Sequence, residues 1–214
     1  MRNPVTGTRD MLKEVAFLEL LDGAGGAPYV LCTYPEEACF FMTYAGADNL
    51  DSLLKKHRRG VVHMDDQFFL LIIKEMIVKL MEIHEKKVVH VDLKSNNIII
   101  DRSDPMAPKV SIIDFGVSTF VGQDSPFGTI YSNEVDKELK ETPWYAYETM
   151  MGWPLTCSAD VVGLSLMIQE IVRVMVRKPR KLETLAKRGM NRNRTRRPTT
   201  EELLNSTLDA ISSY

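Results

Sequence analysis

The spacing of apolar residues predicts a helix near the amino terminus, followed by a turn. Apolar side chains recur every three or four positions at Met11, Val15, Leu18 and Leu21. That spacing places them on one face of a helix. The pattern stops at residues 23–26, Gly-Ala-Gly-Gly, which is a composition typical of a helix end. These glycines lack the spacing of a phosphate-binding loop, so we interpret them as a stop and a turn.

A hairpin and two further helices are predicted next. Apolar, aromatic-rich runs at 29–34 and 39–44 are joined by the polar turn 35–37, which indicates a hairpin. A short helix is predicted over 48–57 and a long helix over 65–84. The apolar residues of the long helix step by four and three, at Phe69, Ile73, Met76, Leu80 and Ile83. This face must therefore pack against a core.

The second half of the chain combines short strands with further helices. Runs rich in β-branched residues predict strands at 88–90, 98–100 and 110–113. The strongly apolar stretch 161–176 predicts a buried helix, in which Gly163 allows the close approach of a neighbour. Thr199 and Glu202 have the spacing of a capping box, so a last helix is predicted to begin there. Helices are predicted to outnumber strands.

Composition and charge narrow the class of protein. The 214 residues are 44% hydrophobic and 26% charged, which is typical of one folded globular domain. The formal net charge of −2 argues against binding of the whole surface to nucleic acid or to an acidic membrane. The three cysteines lack metal-ligand spacing and favour a reducing compartment. The longest apolar run, 68–73, is too short to cross a membrane, so we expect a cytoplasmic or nuclear protein.

Polar residues crowd between two of the predicted strands. Residues 90–97 read His-Val-Asp-Leu-Lys-Ser-Asn-Asn, and Asp114 follows the next strand, just before Phe115 and Gly116. Asp and Asn in loops often do no more than bond their own backbone. Loops held by strands, however, also position functional side chains.

The spacing of these residues resembles that of protein kinases. Lys94 and Asn97 follow Asp92 by two and five positions, and Asp-Phe-Gly follows the next strand, as in the family's catalytic loop and magnesium motif. Three further segments resemble the Ala-Pro-Glu segment, the start of the central helix and the late arginine motif, respectively 142–148, 158–161 and 196–199. The resemblance extends over nearly the whole chain, from the helix that carries Glu14.

This resemblance to a eukaryotic-type protein kinase domain implies a fold. We expect an α+β, protein-kinase-like structure, with a mainly helical C-terminal lobe and a truncated N-terminal lobe of one helix and a few strands. One kinase domain would span residues 1–214, with 1–45 as the remnant of the N-terminal lobe and 46–214 as the C-terminal lobe.

The resemblance also implies chemical roles. The reaction would move the γ-phosphate of ATP to a protein serine or threonine hydroxyl, with positioning and charge neutralisation supplying most of the catalysis. Asp92 would orient the hydroxyl and accept its proton, while Lys94 would steady the transferred phosphate and favour serine or threonine acceptors. Asn97 and Asp114 would hold Mg²⁺ through oxygen atoms. ATP and Mg²⁺ are therefore the expected cofactors.

Other residues would support this site. By the resemblance, Glu148 and Arg197 form a buried ion pair, and Asp160 accepts hydrogen bonds from the backbone of the catalytic loop. The expected hydrophobic spine consists of His90, Phe115 and Leu18. Gly116 completes the magnesium motif.

The expected nucleotide site is incomplete in these residues. Met42 resembles the gatekeeper, and adenine would bond the backbone of the hinge, residues Thr43, Tyr44 and Ala45. The family's glycine-rich strand pair and strand lysine, which precede the residue matched by Glu14, are both missing. We therefore expect either a fragment of a longer kinase or a naturally truncated relative with impaired catalysis.

Three smaller departures from the family concern regulation and substrates. Val91 replaces the usual arginine, so we do not expect control through a phosphorylated activation segment. Tyr147 replaces a proline, and an ungapped match would move the role of Glu148 to Thr149, although the interval to the next motif favours Glu148. The stretch 160–197 is shorter than usual, which implies loss or compression of the helices that dock substrates.

Segment 173–197 is strongly basic. It contains eleven lysines and arginines and one acidic residue, Glu183. Few aromatic residues interleave with these charges, so we expect a solvated face and no nucleic-acid partner.

Two other functions are consistent with parts of the pattern. A pseudokinase, which binds a regulatory partner protein without chemistry, agrees with the missing lysine. A small-molecule phosphotransferase also presents His-x-Asp with an Asn five positions after the Asp, but Lys94, Gly116 and the late arginine disfavour it. We expect a protein substrate and no membrane partner.

Overall fold

The computed structural model describes residues 4–104, 106–129 and 132–213. Its helices are α1 (Pro4–Leu21), α2 (Leu50–Arg58), α3 (Asp66–Glu85), α4 (Ser132–Glu141), α5 (Tyr147–Met150), α6 (Asp160–Val174), α7 (Arg180–Gly189) and α8 (Thr200–Ile211). Its strands are β1 (Val30–Tyr34), β2 (Cys39–Met42), β3 (Val88–Val89), β4 (Ile98–Asp101), β5 (Lys109–Ile112) and β6 (Thr119–Phe120). These strands form three antiparallel pairs, β1 with β2, β3 with β6 and β4 with β5. The mainly helical α+β fold predicted from the sequence is confirmed.

Helix α3 lies at the centre of the hydrophobic core. The apolar residues that predicted it are each at most 1% exposed: Phe69, Ile73, Met76, Leu80 and Ile83. The helix packs against α6, α8, β3 and β5. Burying one such side chain contributes about 1.5–3 kcal/mol relative to leaving it exposed. The face of α3 is therefore a principal source of the stability that holds the surrounding loops in place.

Polar side chains fix the starts of three helices. Asn49 and Asp65 each accept a hydrogen bond, 2.8 Å long, from the backbone N–H three residues further on. Thr199 and Glu202 form both bonds of a capping box, as the sequence predicts. These bonds satisfy N–H groups that have no partner within the helix itself.

The glycine cluster after α1 forms a turn that contacts α3. Gly25 has a positive φ of 74°, and a Cβ atom there would lie 2.5 Å from Cδ1 of Ile83. Its backbone N–H donates to Oε2 of Glu82 at 2.8 Å. The prediction of a helix stop and turn is confirmed, and the close contact explains why glycine is needed.

Several elements had no clear signal in the sequence. Strand β6 has two residues, too few to show a periodicity, and it is defined by its pairing with β3. Helix α7 has a narrow buried stripe of Leu182, Ala186 and Gly189. This stripe lies within the basic segment, whose charges conceal the helical spacing. The first hairpin was predicted correctly, although β2 ends at Met42, before the expected end at residue 44.

Gly163 brings α6 against the loop between β3 and β4. A Cβ atom on Gly163 would lie 2.0 Å from the carbonyl oxygen of Leu93, a distance that no side chain allows. Leu93 itself is 1% exposed. The predicted close approach is confirmed, and it places the loop that carries Asp92 directly on a core helix.

We expect Gly163→Ala to destabilise the protein by about 1–3 kcal/mol, because the added methyl group must push the loop away from α6. The measurement is the free energy of unfolding in urea. Arg173→Ala, an exposed position of the same helix, is the matched control and should change this free energy by less than about 0.5 kcal/mol. Equal stability of Gly163→Ala and wild type would contradict the close contact.

Candidate active site

The carboxylate of Asp160 holds the loop between β3 and β4 through two backbone hydrogen bonds. This carboxylate is buried at the start of α6 and accepts hydrogen bonds from the backbone N–H groups of His90 and Val91, each 2.8 Å long. Val91 has a φ of 74°, which is unfavourable for a β-branched residue. The two bonds hold the loop in this conformation, immediately before Asp92.

His84 balances the charge of Asp160. Its Nε2 atom lies 2.9 Å from Oδ2 of Asp160. Burial alone would lower the pKa of His84, but the hydrogen bond and charge of Asp160, together with Cys157, raise it to about 9. The imidazole is therefore protonated at neutral pH, and the pair is a buried ion pair beneath the loop.

The carboxylate of Asp92 is 7% exposed and is contacted from three directions. Its Oδ2 atom accepts from Nζ of Lys94 at 2.6 Å and from Nδ2 of Asn97 at 3.3 Å. Asn97 also donates to the carbonyl oxygen of Asp92 at 2.9 Å. The Oδ1 atom accepts from Nε1 of Trp144 at 2.7 Å. The structure thus brings together Asp92, Lys94 and Asn97, and it adds Trp144.

Asp114 lies on the adjoining turn. The backbone N–H of Ile113 donates to the carbonyl oxygen of Asn97 at 3.0 Å, so the start of this turn is tied to the loop. Asp114 itself is exposed and has a φ of 70°. Phe115 is fully buried and contacts the ring of His90 edge to face, with 4.9 Å between the ring centres. Asp114, between buried Phe115 and the bond from Ile113 to Asn97, thereby presents its carboxylate to solvent.

Asn97 and Asp114 have the donors that a magnesium ion requires. The amide nitrogen of Asn97 is used for Asp92, whereas its amide oxygen has no hydrogen-bond donor among the described residues. No group of three or more His, Cys, Asp or Glu side chains in the described ranges could hold a metal ion. Mg²⁺ commonly binds one or two carboxylates together with substrate phosphates, so two protein oxygen ligands fit this ion.

Glu14 reaches the same region from α1. Burial and the charge of Asp114 raise the pKa of Glu14, and a hydrogen bond from the backbone N–H of Phe115 lowers it in part. A Cβ atom on Gly116 would lie 3.7 Å from Oδ1 of Asp114 and 3.8 Å from Oε2 of Glu14. Among the described residues, Glu14 has no basic ion-pair partner, so its contacts are with the Asp-Phe-Gly turn.

Leu18 of α1 is 2% exposed and belongs to the same core cluster as Phe115. His90 contacts Phe115 directly. The three residues of the expected spine are therefore all buried between α1, the loop and the turn after β5.

The expected hinge is only partly available to a ligand. The backbone N–H of Thr43 donates to the carbonyl oxygen of Tyr29 at 2.9 Å, and so continues the hairpin. Tyr44 is 81% exposed, and Met42 at the end of β2 is 41% exposed. Among the described residues, the carbonyl oxygen of Thr43 and the backbone groups of Tyr44 and Ala45 have no backbone partner, and the Met42 side chain is not enclosed.

Trp144 and Tyr145 were not singled out by the sequence analysis. The ring of Trp144 lies under Nζ of Lys94, at 5.2 Å from the ring centre. Burial, the charge of Asp92 and a hydrogen bond with Asp92 raise the pKa of Tyr145, which therefore stays neutral. Their place in segment 142–148, which resembles the family's segment ending Ala-Pro-Glu, was the only sequence signal, because the contact depends on chain segments that are far apart.

Glu148 and Arg197 form a buried, bidentate ion pair. The two bonds, from the Arg197 guanidinium to Oε1 and Oε2 of Glu148, are 2.6 and 2.7 Å long. Arg197 also donates to the carbonyl oxygens of Ser158, Asn191 and Arg192. Glu148, and not Thr149, is therefore the residue that ties α5 to the segment before α8.

The basic segment 173–197 is largely exposed and is balanced by acidic side chains. Lys181 pairs with Asp209, Lys187 with Glu183, Arg188 with Glu202 and Arg192 with Asp136. Within the described residues, no helix has both the length and the apolar character needed to cross a membrane.

A loop that presents a carboxylate, an ammonium group and an amide beside a second carboxylate has the chemistry of protein-kinase phosphoryl transfer. Comparison with known families agrees, because residues 9–179 match the protein kinase domain. This match covers more than half of the chain, so the chain belongs to the protein kinase family.

Known kinases show the same relationship. The chain is 28% identical over 127 residues to the serine/threonine-protein kinases D2 of Rattus norvegicus and D3 of Homo sapiens, which covers 58% of this chain and 14% of each relative. It is 25% identical over 157 residues to the serine/threonine-protein kinase Nek7 of Arabidopsis thaliana, covering 69% of this chain and 26% of that relative. The chain thus spans only a small part of these proteins.

We expect Arg197→Met to destabilise the protein by about 3–5 kcal/mol, since it leaves the carboxylate of Glu148 buried without a partner. The free energy of unfolding in urea provides the measurement. The neighbouring exposed Arg196→Ala is the control and should change little. Adding Glu148→Gln to Arg197→Met should recover part of the loss, and no recovery would argue against the pair.

We expect His84 to make stability depend on pH. Its pKa is raised from 6.5 to about 9 in the folded protein, so its contribution is complete below pH 6.5 and is lost as the pH rises through 9. Asp160, Cys157 and Glu201 are the titratable groups that interact with it. The free energy of unfolding of the wild type should therefore fall as the pH rises from 6 to 10. This pH dependence should be lost in His84→Gln and kept in the exposed His63→Gln. An identical slope in both variants would refute the assignment.

Proposed function

We propose that this chain is a serine/threonine-type protein kinase domain that moves the γ-phosphate of ATP to a protein hydroxyl. The observation that carries the proposal is the loop in which the Asp92 carboxylate bonds Lys94 at 2.6 Å and Asn97 at 3.3 Å. Residues 1–45 would be the remnant of the N-terminal lobe and residues 46–214 the C-terminal lobe. Membership of the protein kinase family and the serine/threonine kinase relatives support this function.

Asp92 is the proposed general base. A base must lie within hydrogen-bond reach of the proton that it removes, and Asp92 is held rigidly by its neighbours at the surface of the loop. The acceptor O–H bond would break as the proton moves to the carboxylate, and a bond would form from the acceptor oxygen to the γ-phosphorus. The bond from the γ-phosphorus to its bridging oxygen would break, leaving ADP.

Three side chains would place positive charge at the phosphates: Lys94 directly, and Asn97 and Asp114 through a bound Mg²⁺. The ammonium group of Lys94 lies at Oδ2 of Asp92, close enough to steady a phosphate that approaches the base. Asn97 and Asp114 would hold Mg²⁺ through the oxygen atoms described above. When bound, Mg²⁺ would supply charge neutralisation at the phosphates. The free backbone groups of Tyr44 and Ala45 would bind adenine beside Met42.

A regulatory pseudokinase is the second candidate, and Glu14 is the observation that favours it. Among the described residues Glu14 has no basic partner, and it contacts the Asp-Phe-Gly turn, where the phosphates and metal would need positive charge. A chain of this kind would use the same lobe to bind a partner protein without transferring phosphate. The proposal also includes protein substrates, such a partner and a cytoplasmic or nuclear location.

The third candidate, a small-molecule phosphotransferase, is not favoured, because the family match and the relatives are those of protein kinases.

A nucleotide-binding measurement distinguishes a kinase from a chain that only binds a partner protein and no ATP. With saturating ATP and Mg²⁺, we expect the melting temperature of the full chain to rise by roughly 5 °C, because ligand binding stabilises only the folded state. Asp114→Ala should abolish the rise, and Asp104→Ala, an exposed turn position, should preserve it. No shift for the wild type would exclude the kinase proposal for this chain.

Phosphate transfer then distinguishes a kinase from a pseudokinase. With a degenerate serine/threonine peptide library as acceptor, Asp92→Asn should lower the rate by about 10²–10⁴ while keeping the thermal shift, since a positioned base contributes about that factor. Binding without any transfer by the wild type would favour the regulatory function.

A further inference from the structure

Both oxygen atoms of the Asp92 carboxylate are occupied by donors of the protein itself. Oδ2 accepts from Lys94 and Asn97, and Oδ1 accepts from the indole N–H of Trp144 at 2.7 Å. Little of Asp92 remains exposed. Three of the roughly four lone-pair sites of this carboxylate are therefore engaged, and an acceptor hydroxyl has little open access to the remaining site on Oδ1.

The segment that carries Trp144 is built locally to make this contact. Thr142 donates through Oγ1 to the carbonyl oxygen of Glu138 at 2.7 Å, and the N–H of Tyr145 donates to the carbonyl oxygen of Thr142 at 3.1 Å. These bonds form a tight turn between α4 and α5. The Tyr145 ring packs on Phe127 with 5.0 Å between ring centres, so the turn is also held from its other side.

Two interactions hold the indole of Trp144 against Asp92, the proposed base. Its ring faces the ammonium group of Lys94 at 5.2 Å, while its N–H points to Oδ1 of Asp92. A hydrogen bond to a charged group changes an equilibrium constant by about ten- to a hundredfold. Removing only the N–H should therefore be measurable, because the ring would keep its contact with Lys94.

We propose that Trp144 is a positioning residue of the phosphotransfer site, whose N–H occupies Oδ1 of Asp92 until an acceptor hydroxyl takes its place. The inference rests on the proposed function for its effect on rate. The acceptor and the indole compete for access to Oδ1, because proton removal requires the hydroxyl at hydrogen-bond distance from a carboxylate that is only 7% exposed with the indole in place. The turn 142–145 must therefore move before phosphate is transferred, and its displacement sets how readily a protein segment is accepted.

Trp144→Phe tests the competition, because phenylalanine keeps an aromatic ring and lacks the N–H. With the serine/threonine peptide library, we expect kcat/KM for the acceptor to rise about tenfold, with KM for ATP unchanged. Trp153→Phe is the matched control, since Trp153 is an exposed tryptophan that contacts the Tyr147 ring, and it should leave the rate unchanged. An active wild type whose Trp144→Phe variant is no faster overturns the proposal.

A spectroscopic test needs no turnover. The chain contains two tryptophans, so the Trp153→Phe variant retains one indole N–H signal, that of Trp144, in a ¹⁵N NMR spectrum. We expect the indole proton of Trp144 to exchange slowly with solvent. Its signal should shift when Asp92→Asn removes the negative charge from the side chain that accepts its hydrogen bond. The proposal is overturned if the indole proton exchanges freely with solvent and its chemical shift is unchanged by Asp92→Asn. This test applies even if the chain transfers no phosphate.

Failure of the proposed function would look different. It would appear as absence of phosphate transfer by wild type, Trp144→Phe and Trp153→Phe alike, while the indole signal still reported on Asp92. In an active enzyme, adding peptide library and a non-hydrolysable ATP analogue with Mg²⁺ should move the signal toward that of an exposed indole. In an enzyme shown to be active with ATP, a signal that stays in place in this complex shows that the acceptor does not displace the indole, and it overturns the proposal.

Discussion

The buried carboxylate of Asp160 is the interaction on which the rest of the site depends. It is 1% exposed and bonds the backbone N–H groups of His90 and Val91 as well as the imidazole of His84. A buried carboxylate is costly unless it is paired and hydrogen-bonded, so these partners are strongly constrained. They hold Val91 in an unfavourable backbone conformation and thereby determine where Asp92 lies. The loop that carries Asp92 is thus fixed by the core, through the first residue of α6.

A second ion pair fixes the segment that faces this loop. Glu148 and Arg197 anchor α5, and Trp144 lies in the turn just before that helix. The bond from Trp144 to Asp92 therefore joins two anchored segments. The anchors are themselves linked, because Arg197 also donates to the carbonyl oxygen of Ser158, two residues before Asp160. Trp144 takes part in neither ion pair, so its turn can be displaced without breaking either of them.

The side of the site that is proposed to bind nucleotide is electrostatically less balanced. Glu14 and Asp114 both lie close to Gly116, and their mutual repulsion contributes to the raised pKa of Glu14. A cation bound between the turn and the loop would relieve this repulsion, which agrees with a site that is completed by metal and nucleotide. The half that would handle the acceptor is thus assembled within the chain, whereas the half that would hold the phosphates depends on added positive charge.

The sequence by itself determined the main helices and the cluster of Asp92, Lys94 and Asn97, because periodicity, capping and close spacing are local properties of the chain. It also indicated that Gly163 would meet a neighbour, although only the fold identified that neighbour as the loop that carries Asp92. The tertiary structure alone decided the bond from Trp144 to Asp92, which joins residues 52 positions apart, and the ion pair of His84 with Asp160, 76 positions apart. Such contacts leave no local pattern, since they arise only when helices pack and bring distant segments to one point.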